Sequence, residues 1–287
     1  MIKQRNEKNM LSLILQAAKN DERVRAVIMN GSRTSPNANK DIFQDYDIVY
    51  LVTDVESFVN DPTWIYQFGD ILIRQTPDKM DKWPKCKHKY AYLMLFQDGN
   101  RIDLTLLHLS RLSTMPRDSQ SILLLDKDNL IKPFDPPSDT DYLPKPPTEE
   151  EFYNCCNELL WVSTYVAKGI WRRELTYAKH VSEQGLKEEL IKLLIWYAGL
   201  KTNYQVTIGK FGKYLEKYIE PEIWSKFTKT YVNADYENMW IALFLMCELF
   251  SNISLKLSHH FGYAFNNKEF DNVIEYLHAI KQDAMKK

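Results

Sequence analysis

The chain has 287 residues, with 37 Lys and Arg against 38 Asp and Glu, so its formal net charge is -1 at pH 7. Hydrophobic residues make up 45% of the chain and charged residues 26%, which excludes a disordered protein. A protein that mainly binds the nucleic-acid backbone usually has a large excess of basic over acidic residues. The balanced charge therefore predicts no nucleic-acid partner.

The first half of the chain has the pattern of an α/β domain. Apolar residues at helical spacing predict a helix over 9–19, and short apolar runs predict five strands, over 24–29, 46–52, 71–74, 90–96 and 101–107. The turn sequence Gln97-Asp-Gly-Asn100 predicts a hairpin between the last two strands. We therefore expect a mixed β-sheet with flanking helices over residues 1–135.

A proline-rich stretch follows this half. Six of the 12 prolines fall between 133 and 147, and proline cannot continue a helix or a central strand. The pattern predicts a stiff linker over 136–147. Thr148-Glu-Glu-Glu151 has the pattern of a capping box, which begins a helix, so we expect a second domain over 148–287.

The second domain is predicted to be an all-α helical bundle, because β-type segments vanish after the linker. Apolar periodicity predicts helices over 149–168, 170–183, 186–200, 211–219, 236–257 and 268–286. Gly169, Gly185 and Pro221 are interpreted as stop or start signals. The fold class is therefore α+β.

The sequence also predicts the compartment. No apolar run approaches the ~18–20 residues of a membrane span, and the first ten residues are polar, so we expect no membrane partner. Cys86, Cys155, Cys156 and Cys247 include no CxxC pair, and the helical context of the adjacent pair indicates buried thiols. We expect a cytoplasmic protein that is a monomer.

The first candidate site element follows the strand over 24–29. Gly31-Ser32 at a strand end predicts a tight turn whose N–H groups, together with the serine hydroxyl, can hold a phosphate. Many strand ends carry the same pair as an ordinary turn. Taken alone, it is a weak signal.

The second element consists of acidic residues on two strands. Strand alternation places Asp45 and Asp47 on one face, while Tyr46, Ile48 and Tyr50 face the core. By the same rule Asp103 lies on a polar face with Arg101 and Thr105. If the two strands are neighbours, three carboxylates converge, which is the ligand chemistry that Mg²⁺ requires. Solvated Asp residues at a loop–strand junction are the alternative.

These motifs together resemble a known family. A Gly-Ser turn, Asp-x-Asp about a dozen residues later and a distant strand Asp form the pattern of the polymerase-β-like nucleotidyltransferases. The sequences of several segments are similar to those of the aminoglycoside 6-adenylyltransferases, which modify streptomycin and confer antibiotic resistance. These segments are Met29-Asn-Gly-Ser-Arg-Thr34, Phe43-Gln-Asp-Tyr-Asp-Ile48, Tyr92-Leu-Met-Leu-Phe96, Ile102-Asp-Leu-Thr-Leu-Leu107, Cys155-Cys-Asn-Glu158, Tyr165-Val-Ala-Lys-Gly169 and Tyr236-Glu-Asn238.

The resemblance covers nearly the whole chain and implies specific roles. It implies ATP as donor, Mg²⁺ as cofactor and a streptomycin hydroxyl as acceptor. Asp45 and Asp47 would bind metal, and Asp103 would be both metal ligand and general base. Gly31 and Ser32 would hold phosphates. Arg33 would reach the same phosphates or form a salt bridge with a neighbouring Asp.

Two further sets of residues are predicted in the helical half. Lys210 and, second, Lys213 lie in a basic loop suited to a triphosphate, with a solvated helix start as the alternative. Glu158, Trp161 and Tyr165 are three and four residues apart and share a helix face, where they could bind a cationic acceptor. An aromatic stripe at this spacing is more often part of a bundle core.

Two other functions compete with this interpretation. The same fold could act on another acceptor, such as another antibiotic, a protein or a polynucleotide end. A nucleotide-binding module without catalysis is the second alternative, and the presence of all three carboxylates argues against it.

Overall fold

The computed structural model describes residues 4–80 and 87–286, and Cys86 lies outside them. The chain divides into two compact units, residues 1–141 and 142–287. The division falls inside the stretch predicted as a linker.

The first unit is built on a six-stranded sheet in the order β3-β4-β5-β2-β1-β6. The strands are β1 (Val24–Asn30), β2 (Tyr46–Val52), β3 (Ile71–Gln75), β4 (Lys89–Phe96), β5 (Arg101–His108) and β6 (Ser121–Asp126). Neighbouring strands are antiparallel except β2 and β5, which are parallel. The mixed sheet is confirmed, and β6 is an edge strand that the sequence analysis did not predict.

The two faces of this sheet differ. On one face, helix α1 (Glu7–Asn20) and the short helix α2 (Glu56–Asn60) contribute to a large apolar core. The opposite face carries a smaller cluster built around Ala26, Ile28, Leu51 and Ile131. This second cluster covers only part of its face and leaves room for polar side chains.

The second unit is helical, as predicted. Its helices are α3 (Glu149–Trp171), α4 (Leu175–Val181), α5 (Lys187–Lys201), α6 (Leu215–Tyr218), α7 (Pro221–Thr228), α8 (Tyr236–Phe261) and α9 (Asn267–Ala284). The capping box is confirmed, because the Thr148 hydroxyl accepts from Glu151 N and the Glu151 carboxylate accepts from Thr148 N. Cys155, Cys156 and Cys247 are buried free thiols.

Two predicted helix stops are wrong. Gly169 lies inside α3, where a Cβ atom would come within 2.9 Å of Tyr177 Cδ1. Glycine therefore serves close packing of α3 against α4 at this position. Gly185 lies within the π-helical turn Ser182–Leu186 between α4 and α5, where a Cβ would come within 3.0 Å of Val162 Cγ1.

Helix α8 also differs from the sequence expectation. It is long and apolar enough to span a membrane by length and composition, with a mean hydropathy of 1.5 over 18 residues. Half of that window is buried inside the protein. Its apolar residues, among them Leu243, Met246 and Phe250, belong to the core of the second unit.

The proline-rich stretch is fastened at both ends. Ser138 N donates to Ser119 O (2.9 Å), and the Asp141 carboxylate accepts from Ser119 N (2.7 Å), within the first unit. In the second unit Pro147 O accepts from the Tyr263 hydroxyl (3.0 Å). The stretch is therefore not a free spacer at either end.

Candidate active site

Strand pairing brings two of the predicted carboxylates together. β2 and β5 run parallel with Asp47 directly beside Asp103, and β1 runs antiparallel to β2 with Asn30 beside Asp47. The turn that begins at Gly31 follows Asn30 at once. The Gly-Ser turn and the acidic residues therefore meet at one edge of the sheet.

Alternation along β2 and β5 sets the direction of these side chains. Tyr46, Ile48 and Tyr50 are buried in the core on the α1 side, as predicted. Asp47 and Asp103 are half-buried on the opposite face. We call this the carboxylate face of the sheet.

Gly31 is required by the local geometry. Its φ is +78°, and a Cβ atom at this position would lie 2.3 Å from Asp47 Oδ2. Only glycine gives both the left-handed backbone and the space for the carboxylate. The Gly31 N–H donates to Gln120 O (2.9 Å), so this amide is already used. The N–H groups of Ser32 and Arg33 donate no hydrogen bond within the described residues.

Among the described residues Arg33 does not form the predicted salt bridge with a neighbouring Asp, and its contact with phosphates stays a prediction. Its Nε donates to Asp45 O (3.0 Å) and its Nη2 to Gln44 O (2.7 Å). Its guanidinium carbon lies 3.7 Å from the centroid of the Tyr46 ring. The Arg33 side chain therefore holds the backbone of Gln44 and Asp45 in place.

Arg101 balances part of the negative charge. Its Nε and Nη2 donate to the two oxygens of Asp103 at 2.7 Å each, and its Nη1 lies 3.5 Å from Asp45 Oδ2. The sequence analysis placed Arg101 on this face without giving it a role. The bidentate contact fixes the orientation of the Asp103 carboxylate.

Asp47 has the most perturbed acidity of the cluster. Burial, followed by the charges of Asp103 and Asp45, raises the pKa of Asp47 to about 6. Burial also raises the pKa of Asp45, while Arg101 acts in the opposite direction. Both shifts mean that another positive charge would be stabilised at this cluster.

The donor set fits a hard cation by its chemistry. Carboxylate oxygens are the ligands that Mg²⁺ prefers, and burial together with the charges of Asp103 and Asp45 raises the pKa of Asp47, so a cation would favour its ionised form. Within residues 4–80 and 87–286, no three His, Cys, Asp or Glu side chains are arranged as ligands of one ion. Arg101 contacts two of the three carboxylates in this arrangement.

A further carboxylate supports the loop after the Gly-Ser turn. Asp139 accepts hydrogen bonds from Ser35 Oγ (2.8 Å), Asn37 Nδ2 (2.9 Å) and Gln120 Nε2 (2.8 Å). The Gln120 carbonyl in turn holds Gly31 N. This network was not predicted, because its members are up to 104 positions apart.

The basic loop of the second unit is exposed. Gly209 has φ +73°, and Phe211 has φ +57° with 79% of its surface exposed. The helix predicted over 211–219 is wrong, since the chain forms a 3-10 turn (Lys210–Gly212) followed by the single turn α6. In the part of the chain that the structure describes, neither Lys210 nor Lys213 forms an ion pair.

The predicted acceptor residues lie together on α3. Trp161 is 59% exposed, and its Nε1 donates to the Tyr165 hydroxyl (2.8 Å). Glu158 is exposed one turn earlier. The aromatic pair is therefore on the surface of the second unit, and the bundle-core alternative is wrong for Trp161.

Comparison with known proteins extends this picture. The profile of the streptomycin adenylyltransferase family matches residues 4–280. An aminoglycoside 6-adenylyltransferase of Staphylococcus aureus is 37% identical over 268 residues, 92% of this chain and 95% of that protein. One from Bacillus subtilis is 36% identical over 280 residues, 96% and 98% of the two chains.

A crystal structure of an aminoglycoside 6-adenyltransferase from Bacillus subtilis is 32% identical and covers 96% of this chain and 99% of that chain, with a TM-score of 0.48. The family profile and the curated relatives confirm the resemblance drawn from the sequence motifs. The chain belongs to the streptomycin adenylyltransferase family of nucleotidyltransferases.

Proposed function

We propose that the protein transfers AMP from Mg-ATP to a hydroxyl group of an aminoglycoside, with streptomycin as acceptor and pyrophosphate as leaving group. The observation that carries this proposal is the pairing of Asp47 with Asp103 beside the Gly31 turn. The family membership supports adenylyl transfer, and the relatives are named for aminoglycosides.

Asp45, Asp47 and Asp103 would hold Mg²⁺. When bound, the ion supplies positive charge that neutralises the triphosphate and the charge developing at the α-phosphate. The same charge would favour the ionised form of Asp47, whose pKa is raised by burial and then by the charges of Asp103 and Asp45. Arg101 remains available to keep Asp103 oriented.

Asp103 acts as the general base in this proposal. Its carboxylate accepts the proton of the acceptor hydroxyl as the hydroxyl oxygen attacks the α-phosphorus. The new oxygen–phosphorus bond forms as the bond from the α-phosphorus to the bridging oxygen breaks. The bidentate contact with Arg101 holds the Asp103 carboxylate in a fixed orientation for this proton transfer.

The phosphate contacts are assigned to the Gly-Ser turn. The Ser32 hydroxyl is suited to the β- and γ-phosphates, as are the N–H groups of Ser32 and Arg33, which donate no hydrogen bond within the described part of the chain. The ammonium groups of Lys210 and Lys213, which form no ion pair within the described residues, are further candidates for the triphosphate. Glu158, Trp161 and Tyr165 offer a carboxylate and exposed aromatic faces to the guanidinium groups of streptomycin.

We also propose that the protein works as a cytoplasmic monomer. The buried free thiols of Cys155, Cys156 and Cys247 support a reducing compartment. Size-exclusion chromatography with light scattering measures the mass in solution.

Mass spectrometry of streptomycin incubated with the protein, ATP and Mg²⁺ tests the proposed reaction. We expect the mass of one added AMP, and its absence with Asp103→Asn. Modification of another aminoglycoside but not of streptomycin would reject the acceptor and retain the chemistry. No product with any aminoglycoside would reject the function.

A further inference from the structure

A cavity of about 370 Å³ lies within the first unit on the carboxylate face of the sheet. Its floor includes Val49, two residues after Asp47, and Thr105, two residues after Asp103. Two residues of a strand span roughly 6.6 Å, so the cavity begins next to the carboxylates. None of the roles described above uses it.

Part of the cavity lining is apolar. Ile28, Val49, Leu107, Met115 and Phe134 line it, and all belong to the smaller apolar cluster of this face. Its volume lies at the lower end of small-molecule pockets, which hold ligands of roughly 300–1,000 Å³. A ligand in this cavity would therefore be a small molecule or one group of a larger one.

Two uncharged polar groups in the lining have unused hydrogen-bonding capacity among the described residues. The Ser121 hydroxyl donates to Asn30 Oδ1 (2.8 Å), which leaves the side-chain NH₂ of Asn30 as a donor without a partner in the described ranges. The Thr105 hydroxyl has no hydrogen-bond partner within the described residues either. A ligand with hydrogen-bond acceptors, such as a nucleobase or a ribose, would satisfy both groups.

The charges in the lining argue against a cationic ligand. Lys89 and Arg111 are exposed and contribute two positive charges. The carboxylate of Asp118, which also lines the cavity, already accepts from Gln120 N (2.7 Å). An aminoglycoside carries several positive charges, so this lining disfavours it, whereas a neutral nucleoside meets no repulsion.

We propose that this cavity binds the nucleoside part of ATP. The Gly31 turn follows the end of β1, and Asp47 and Asp103 lie beside that end, near the starts of β2 and β5. The cavity lies on the same face, further along β2 and β5 and away from the turn. A nucleotide with its α-phosphate at the carboxylates would place its β- and γ-phosphates at the turn and its ribose and base in the cavity. This inference rests on the proposed AMP transfer.

The test separates the nucleoside from the phosphates. Binding of Mg-ATP and of Mg-tripolyphosphate, which lacks the nucleoside, is measured by calorimetry without acceptor. Val49→Phe fills the cavity, and Thr105→Val removes a hydroxyl at nearly constant volume. Thr53→Val, just beyond the end of β2 and outside the lining, is the matched control.

We expect Val49→Phe to weaken ATP binding at least tenfold and Thr105→Val several-fold, with tripolyphosphate affinity changed less than twofold and Thr53→Val unchanged for both ligands. If Thr105→Val, which should fold even where Val49→Phe does not, leaves ATP affinity unaltered, the proposal is wrong. Equal weakening of ATP and tripolyphosphate would instead make this a phosphate site. A raised KM for streptomycin with unaltered ATP binding would make it the acceptor site.

A failure of the proposed function has a different signature. In that case wild-type protein binds Mg-ATP, and the variants weaken that binding, but no aminoglycoside gains AMP. The cavity assignment therefore stands or falls on ATP binding, and the transfer reaction on product mass.

Discussion

Gly31→Ala should disable the active site through a single added methyl group. The residue has φ +78°, and the new Cβ would lie 2.3 Å from Asp47 Oδ2. An ordinary contact between these atoms needs about 3.4 Å, so the carboxylate has to move by roughly 1 Å. A displacement of that size in a catalytic group can lower the rate by about 10²-fold.

The stability cost of the same change is separate and smaller. Alanine in the left-handed region costs roughly 1–2 kcal/mol, which leaves a domain of this size folded. Gly262→Ala is the matched control, because Gly262 has φ +74° and, among the described residues, no neighbouring atom lies within 4 Å of the point that a Cβ would occupy. It should show the backbone cost without the carboxylate displacement.

The assay combines AMP transfer to streptomycin with thermal unfolding of both variants. We expect similar losses of stability in the two proteins and about a 10²-fold loss of kcat in Gly31→Ala alone. Near wild-type turnover by Gly31→Ala would show that Asp47 tolerates displacement. Equal loss of activity in both variants would attribute the effect to folding, and either result would exclude displacement of Asp47 as the cause of inactivation.

Other expected outcomes concern charge and positioning. Asp103→Asn should lower kcat by ~10²–10⁴ while ATP binding is retained better, and near wild-type turnover would exclude a general base. The raised pKa of Asp47, about 6, means that its ionised form costs stability above pH 6 and that protonation relieves this cost between pH 6 and 4. Without metal, Asp47→Asn should therefore raise the free energy of unfolding at pH 8 by up to roughly 3 kcal/mol. This gain in stability should shrink as the pH falls towards 4. A lower free energy of unfolding at pH 8, measured by chemical denaturation, would contradict this expectation. Lys210→Ala should raise KM for ATP more than Lys213→Ala, and steady-state kinetics showing the reverse order would reject the ranking. Asp139→Ala removes the acceptor of three hydrogen bonds and should raise KM for ATP several-fold with a smaller change in kcat, whereas an unaltered KM would limit Asp139 to a structural role.

The local features of this protein can be predicted from its amino-acid sequence. Alternation of Tyr46, Ile48 and Tyr50 with acidic residues defined which face of β2 is buried, and the Thr148 capping box defined where α3 begins. These features depend on residues within a few positions of each other, where backbone periodicity and side-chain chemistry act directly. The family motifs were readable for the same reason.

How these pieces combine at the site depends on contacts between distant parts of the chain. The Asp47–Asp103 pairing joins strands more than 50 positions apart, and no local pattern fixes that β5 lies beside β2 in parallel. The contacts of Asp139 likewise join the segment after β6 to the loop that follows β1. The face of a strand on which a carboxylate lies follows from the local sequence. The residue that lies beside it on the next strand follows from the complete fold, because strand order and register are set by the burial of the whole sheet.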